Sequence, residues 1–305
     1  MVLVLTHSDC LMHVTPPGHP EQVDRLRAVE TGLQGLHVTR AEAPMGDVAD
    51  VLRCHTQSYV DRIRARVPSQ GWAQVDGDTF LAPGSLNAAL RGVGGICAAV
   101  DHVLTEGGRA FVAARPPGHH AERDTAMGFC LFGTVAIGAM RALDLHGLSR
   151  VAVLDFDVHH GNGTQDLLWD EPRIRFVSSH QMPLYPGSGH RHERGAHGQI
   201  TNLPLPEGSD GTRMWAVWEP VLDDLRAWQP ELVIVSAGFD AHRADPLAGL
   251  NWTEDDFALL TGAICDLADE CCDGRVVSSL EGGYDLDALA ASVAAHVEQL
   301  GRQRA

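Results

Sequence analysis

Apolar, β-branched runs of strand length recur along the chain at Val2–Leu5, Ala110–Ala114, Val151–Phe156, Ile174–Ser178, Leu232–Ala237 and Val276–Leu280. Between most of them lie longer stretches in which apolar residues return every three or four positions: Ser85–Glu106, Phe132–Leu145, Met214–Trp228, Glu254–Cys271 and Leu286–Leu300. Continuous apolar runs suit strands buried on both faces, and strands that alternate with helices join as parallel β-α-β units. The pattern predicts an α/β fold around a buried parallel sheet. No repeat, low-complexity tract or Pro/Gly/Ser-rich linker divides the 305 residues, so one domain over 1–305 is expected.

The segments that follow the strands carry the chemistry. Ala110–Ala114 runs into Arg-Pro-Pro-Gly-His-His (115–120), and Val151–Leu154 into Asp-Phe-Asp-Val-His-His-Gly-Asn-Gly (155–163). Leu232–Ala237 is followed by Gly-Phe-Asp-Ala-His (238–242), and Val276–Leu280 by Glu-Gly-Gly-Tyr (281–284). Four clusters competent in metal binding or proton transfer thus fall at the carboxyl ends of four predicted parallel strands, the edge where open α/β sheets build their sites.

Composition narrows the partners. Apolar residues make up 44% of the chain, enough for a sizeable core, while a formal charge of −17 argues against a nucleic-acid partner, which wants a basic stripe. The same field is compatible with a cationic substrate. No apolar run approaches the length of a membrane span, and Met1–Cys10 is too short and lacks the basic start of a signal peptide, so a cytoplasmic protein without a membrane partner is expected. Seven cysteines with no C-x-x-C pair read as reduced core thiols.

In Asp157-Val158-His159 two ligand-type side chains are separated by one residue, so just past a strand end both point the same way. Asp240 is a third ligand candidate, and an Asp, His, Asp set leaves a coordination position open for water and substrate. Zinc suits that set, with ferrous iron as a rival. The tandem His119-His120 supplies two imidazoles that different neighbours can tune; Asp155 is a candidate partner for one and Asn162 for the other. Tyr284, after two glycines that allow close approach, offers a phenol to a developing oxyanion. No Ser or Cys nucleophile with its base is apparent, so a water attack without covalent intermediate is expected. His190, His192 and His197 lie in a Gly-rich loop and read as solvent-exposed, and His13, His55 and His296 receive no role.

The motifs RPPGHHAERDTAMGFCLF, DFDVHHGNGTQD, YPGSG, SAGFDAHRADPLAG and LEGGYDL together resemble the zinc-dependent histone deacetylase family, which includes bacterial acetylpolyamine and acetoin-utilisation-type amidohydrolases. The likeness runs from PPGHPEQVDRL near the start to the last helix. It implies the arginase-deacetylase fold, a parallel sheet of about eight strands flanked by helices. It also implies zinc on Asp157, His159 and Asp240, His119 paired with Asp155, His120 as general base and Tyr284 as catalytic tyrosine. Asn162 stands where one branch has Asp, which makes the chain class II-like. Gly128 and Phe129 resemble one wall of an acyl-lysine tunnel, with Gly282 beside the substrate, and the opposite wall is left open. A structural potassium is implied near Asp155, with carbonyls of Asp157 and His159 and the Ser178 hydroxyl.

Leu247 falls where the polyamine-specific branch carries a Glu gatekeeper, and an apolar side chain cannot pair with a distant ammonium. The resemblance therefore favours acylated lysine in peptides or proteins over an acetylpolyamine or other small acylated amine. A catalytically silent reader of acyl-lysine is the non-enzymatic alternative, disfavoured by Tyr284 and the complete ligand set. The chain departs from the family pattern at Gly133-Thr134, where relatives have Asn, and in the His-rich loop RHERGAHG. Neither departure touches a ligand position. The oligomeric state, acyl-chain length and physiological target are not readable from these residues.

Overall fold

The computed structural model describes residues 1–302. The strands are β1 (Val2–Thr6), β2 (Val38–Glu42), β3 (Ala73–Gln74), β4 (Phe80–Leu81), β5 (Arg109–Val112), β6 (Val151–Asp155), β7 (Ile174–Gln181), β8 (Ile200–Leu205), β9 (Leu232–Ala237) and β10 (Val276–Leu280). The α-helices are α1 (Asp24–Gly32), α2 (Val48–Val51), α3 (Gln57–Arg66), α4 (Ser85–Thr105), α5 (Thr134–His146), α6 (Asn162–Leu167), α7 (Gly211–Trp228), α8 (Glu254–Cys271) and α9 (Leu286–Leu300). Eight strands form one sheet in the order β2-β1-β5-β10-β9-β6-β7-β8, every neighbouring pair parallel. β3 and β4 make a small antiparallel pair apart from it. This is a single α/β domain with an eight-stranded parallel sheet, as the resemblance implied.

The central strands are apolar because both faces are covered: every residue of β6, β9 and β10 is buried. One helical layer joins α1, α7, α8 and α9, and the other joins α4 and α5 with the short α2 and α6. Helix starts are fixed by side chains. Thr253 and Asp256 form a reciprocal capping box at α8, and Asp210 and Asp285 accept from backbone N–H groups at the starts of α7 and α9.

Six of the eight sheet strands follow the predicted runs, with end shifts of a few residues. The segment predicted as 110–114 pairs as Arg109–Val112, and the strand predicted to end at Ser178 runs on to Gln181. The two strands without a matching prediction are the sheet's edges. β2 is exposed at four of its five residues, and β8 contains Pro204, which only an edge strand tolerates readily. Neither has the apolar signature of a strand covered on both sides.

The sheet order positions the site. The chain passes outward from β1 to β2, and later outward through β6, β7 and β8. It then returns to lay β9 and β10 between β5 and β6. The four strands that precede the chemical clusters, β5, β10, β9 and β6, are consecutive in the sheet. Their carboxyl ends therefore meet at its centre, where the connections diverge to either side and a crevice opens.

Candidate active site

Asp157, His159 and Asp240 converge at that crevice, with one ligand-type atom from each lying within 4.8 Å of the others. His159 Nδ1 is 3.2 Å from Asp157 Oδ1 and 3.1 Å from Asp240 Oδ2. The backbone fixes the carboxylates: Val158 N donates to Asp240 Oδ1 at 2.9 Å, and Gly282 N to Asp157 Oδ2 at 2.8 Å. Gly282 can come this close because it has no side chain; an added Cβ would sit 2.1 Å from Asp240 Oδ2. Burial raises the Asp240 carboxyl above its ordinary value, reinforced by the charge of Asp157. Two buried carboxylates and one imidazole nitrogen, closely grouped, are a donor set that can hold a divalent cation.

The tandem histidines are distinguished by their partners. His119 Nδ1 lies 3.0 Å from Asp155 Oδ2, and its Nε2 is 3.7 Å from Asp157 Oδ2. Burial opposes charge on His119, but Asp157 and Asp155 outweigh it and raise its pKa well above the ordinary value. His120 Nδ1 lies 2.7 Å from Asn162 Oδ1, a neutral acceptor. Burial, then the neighbouring His119, push its pKa well below the ordinary value. The structure thus pairs Asp155 with the first histidine and Asn162 with the second, and leaves the second neutral.

Tyr284 follows β10 and is half-buried on the cavity wall, and desolvation raises its phenol well above the usual range, with the Arg25 guanidinium opposing. The hydroxyl therefore stays protonated and able to donate. Arg25 stacks over the ring at 4.8 Å and donates to the Gly283 carbonyl, while Asp245 accepts from Tyr284 N at 2.7 Å. Asp245 also accepts from Leu247 N at 3.0 Å, so one carboxylate ties the tyrosine loop to the segment carrying Leu247.

A cavity of about 250 Å³ opens beside these groups, lined by Pro20, Asp78, His120, Gly128, Phe129, His159, Leu184, Tyr185, Leu247 and Tyr284. Gly128 and Phe129 both take positive φ, 53° and 68°, and a Cβ on Gly128 would fall 2.4 Å from His120 Cδ2. The glycine thus lets the wall close against the histidine. Phe129 makes edge contacts with Tyr284 and His19. Tyr185 also lines the cavity, its ring edge-on to His120 at 5.2 Å.

Several neighbours were not foreseen. Glu21, fully buried, binds Arg115 and Arg25 and faces His13, which also contacts Ser85. Glu281 accepts from the backbone of Gly118 and His119. The signals were present, a Glu after Gly-His-Pro and an Arg opening RPPGHH, but the Glu21–Arg115 pair joins residues 94 positions apart. His55 and His296 are buried hydrogen-bonding groups away from the site, and His190, His192 and His197 are exposed as expected. Ser178 lies opposite Asp155 in the β6–β7 register, its hydroxyl 3.0 Å from His180 Nδ1. All seven cysteines are unpaired thiols. Among the described residues no helix is long and apolar enough to cross a membrane.

The strand ends of the sheet thus gather a buried Asp-His-Asp group that could hold a metal ion, two histidines and a tyrosine around one cavity. The sequence matches the family model of the histone deacetylase domain over residues 19–300. It is 42% identical over 301 residues to an uncharacterised protein of Synechocystis, covering 96% of this chain and 97% of that one. It is 37% identical over 285 residues to the histone deacetylase-like amidohydrolase of Pseudomonas aeruginosa, covering 89% of this chain and 74% of that one. The crystal structure of the HDA15 HD domain superposes with a TM-score of 0.92 at 30% identity, over 99% of this chain and 91% of that one. The chain belongs to the histone deacetylase family and is a hydrolase of its deacetylase/amidohydrolase kind, a family acting on acetylated amines.

Proposed function

We propose that the chain is a zinc-dependent hydrolase that removes acetyl or other acyl groups from the ε-amine of lysine in peptides or proteins, with residues 1–305 forming one catalytic domain. The observation that carries this reading is the Asp157–His159–Asp240 group beside a cavity walled by Gly128, Phe129 and Tyr185, with His120 and Tyr284 facing the same space. A zinc ion held by those three side chains, or ferrous iron in its place, would polarise the amide carbonyl and acidify a water. His120, kept neutral and hydrogen-bonded through Nδ1 to Asn162, takes the proton from the attacking water. Tyr284 donates its hydroxyl to the oxyanion as the carbonyl carbon becomes tetrahedral. His119, held cationic beside Asp155, balances the buried charge, and an imidazolium of the tandem pair protonates the leaving amine. Gly282 fixes the carboxylates from behind and borders the substrate. A structural potassium would be held near Asp155 by the carbonyls of Asp157 and His159 and the hydroxyl of Ser178, a reading supported by the pairing of Ser178 with Asp155 across β6 and β7.

Leu247 on the cavity wall favours acyl-lysine, whose alkyl stem needs an apolar tunnel. Asp78 on the same wall favours a second reading, a small acylated polyamine whose distal ammonium could meet that carboxylate. Zinc-loaded protein assayed side by side against an acetyl-lysine peptide and acetylspermidine decides between them. The expected result is turnover of the peptide in preference, lost on chelation and in Tyr284→Phe and His120→Ala. Preference for acetylspermidine would transfer the assignment to the polyamine reading. Tight binding of both without turnover would overturn the enzymatic one.

A further inference from the structure

Asn162 has two ends, and each faces a partner. Its Oδ1 lies 2.7 Å from His120 Nδ1, and its Nδ2 donates to Glu122 Oε1 at 2.7 Å. An amide can turn over and exchange its oxygen and nitrogen, so hydrogen-bond chemistry has to decide which end faces which neighbour. A carboxylate is acceptor-only. With Glu122 ionised, the amide NH₂ must face it, and the oxygen is left to face His120. An oxygen there obliges Nδ1 of His120 to carry the proton, which leaves the lone pair on Nε2. Were the amide reversed, its NH₂ would meet Nδ1, the proton would move to Nε2, and the ring would have no basic nitrogen for the cavity.

Glu122 is held rigidly for this task. It opens a tight turn in which Glu122 N donates to Thr125 O at 3.0 Å and Thr125 N returns a bond to Glu122 O at 3.3 Å. The turn is pinned from outside: Arg123 N donates to Asp166 Oδ2 at 2.9 Å, Arg62 to the Asp124 carbonyl, and the Thr56 hydroxyl to the Asp124 carboxylate. Asn162 itself is buried at the first position of α6, where it lacks freedom to move away.

We infer that Glu122 is a positioning residue for the reaction: through the amide of Asn162 it sets the tautomer of His120. The inference rests on the assignment of His120 as base made above. It predicts a reversal of sign between two backgrounds. In the native background, Glu122→Lys puts a donor-only group against Asn162, turns the amide over and moves the His120 proton to Nε2. The zinc-loaded enzyme should then lose about 100-fold or more in kcat, the scale of a general base, with KM little changed. Asn162→Asp alone sets two carboxylates against each other and also lowers kcat. Combined, Glu122→Lys and Asn162→Asp give an ammonium donating to a carboxylate whose second oxygen accepts from Nδ1. The double variant should recover to within about tenfold of the native enzyme, because the base has its lone pair back. Histidine ¹⁵N NMR gives a readout independent of turnover: His120 should be Nδ1-protonated in the native protein and the double variant, and Nε2-protonated in Glu122→Lys.

Equal harm from Glu122→Lys in the native and the Asn162→Asp backgrounds, or a Glu122→Lys protein whose His120 keeps its proton on Nδ1, would overturn the inference. His120→Ala with full activity would instead remove the base assignment on which it stands, which separates the two failures.

Discussion

At Gly282 an added Cβ would lie 2.1 Å from Asp240 Oδ2 and 2.6 Å from Asp157 Oδ2, so no side chain fits without displacing both carboxylates. Gly282→Ala should therefore fold normally, since its backbone does not need positive φ, yet bind zinc at least about tenfold more weakly, as disturbed supporting contacts do. Zinc titration beside a circular-dichroism melt checks this; native affinity in the variant would mean the carboxylates have room to yield. Residues of this kind were legible because they fall in short motifs at strand ends, where the chain itself brings i and i+2 together. Asp157 with His159, and His119 beside His120, needed no tertiary information. Tyr185 and Glu122 were not legible in the same way. Tyr185 reaches the cavity from the long loop after β7, and Glu122 acts through an amide forty positions away. Neither contact leaves a trace in local spacing.

Elements were readable to the extent that burial dictated them. The central strands declared themselves by continuous apolar runs, whereas β2 and β8 at the edges did not, since one of the forces that write a strand into sequence is absent there. The loop before α1 shows a different kind of constraint. Glu21 anchors it by accepting from Arg115 after β5 and Arg25 on α1, all three fully buried. Burial alone would raise the carboxyl; Arg115, His13 and Arg25 outweigh it and hold it well below the usual carboxylate range. Glu21→Ala leaves two buried guanidinium groups short of their counter-ion and should lower unfolding stability by about 3–5 kcal/mol. Urea unfolding measures it, and a loss below about 1 kcal/mol would mean water reaches and solvates the site. Because Pro20 lines the cavity next to Glu21 and Arg25 stacks on Tyr284, the variant should also impair turnover.

The whole molecule combines a net charge of −17 with buried neutral histidines, and the two oppose each other as pH falls. Lower pH relieves acidic self-repulsion, which favours the compact state. His296, however, sits fully buried between the Thr261 and Ser278 hydroxyls, where its ring bridges α8 and β10, and burial lowers its pKa to about 3. His55, accepting from Gly133 N, is lowered to about 4 by burial. In the unfolded chain each would titrate near 6.5. Between those limits the unfolded state binds more protons than the folded one, so these groups make stability rise with pH. Their contribution is intact above about 6.5 and falls as pH drops, levelling off near 4 for His55 and near 3 for His296. His296→Gln retains hydrogen bonding but cannot take up a proton. The stability difference between native protein and variant should change by about 1.4 kcal/mol per pH unit between pH 6 and 4, with the native protein losing ground toward acid. A pH-independent difference would show that His296 is protonated in the folded state as readily as in the unfolded one, and that the α8–β10 junction admits charge.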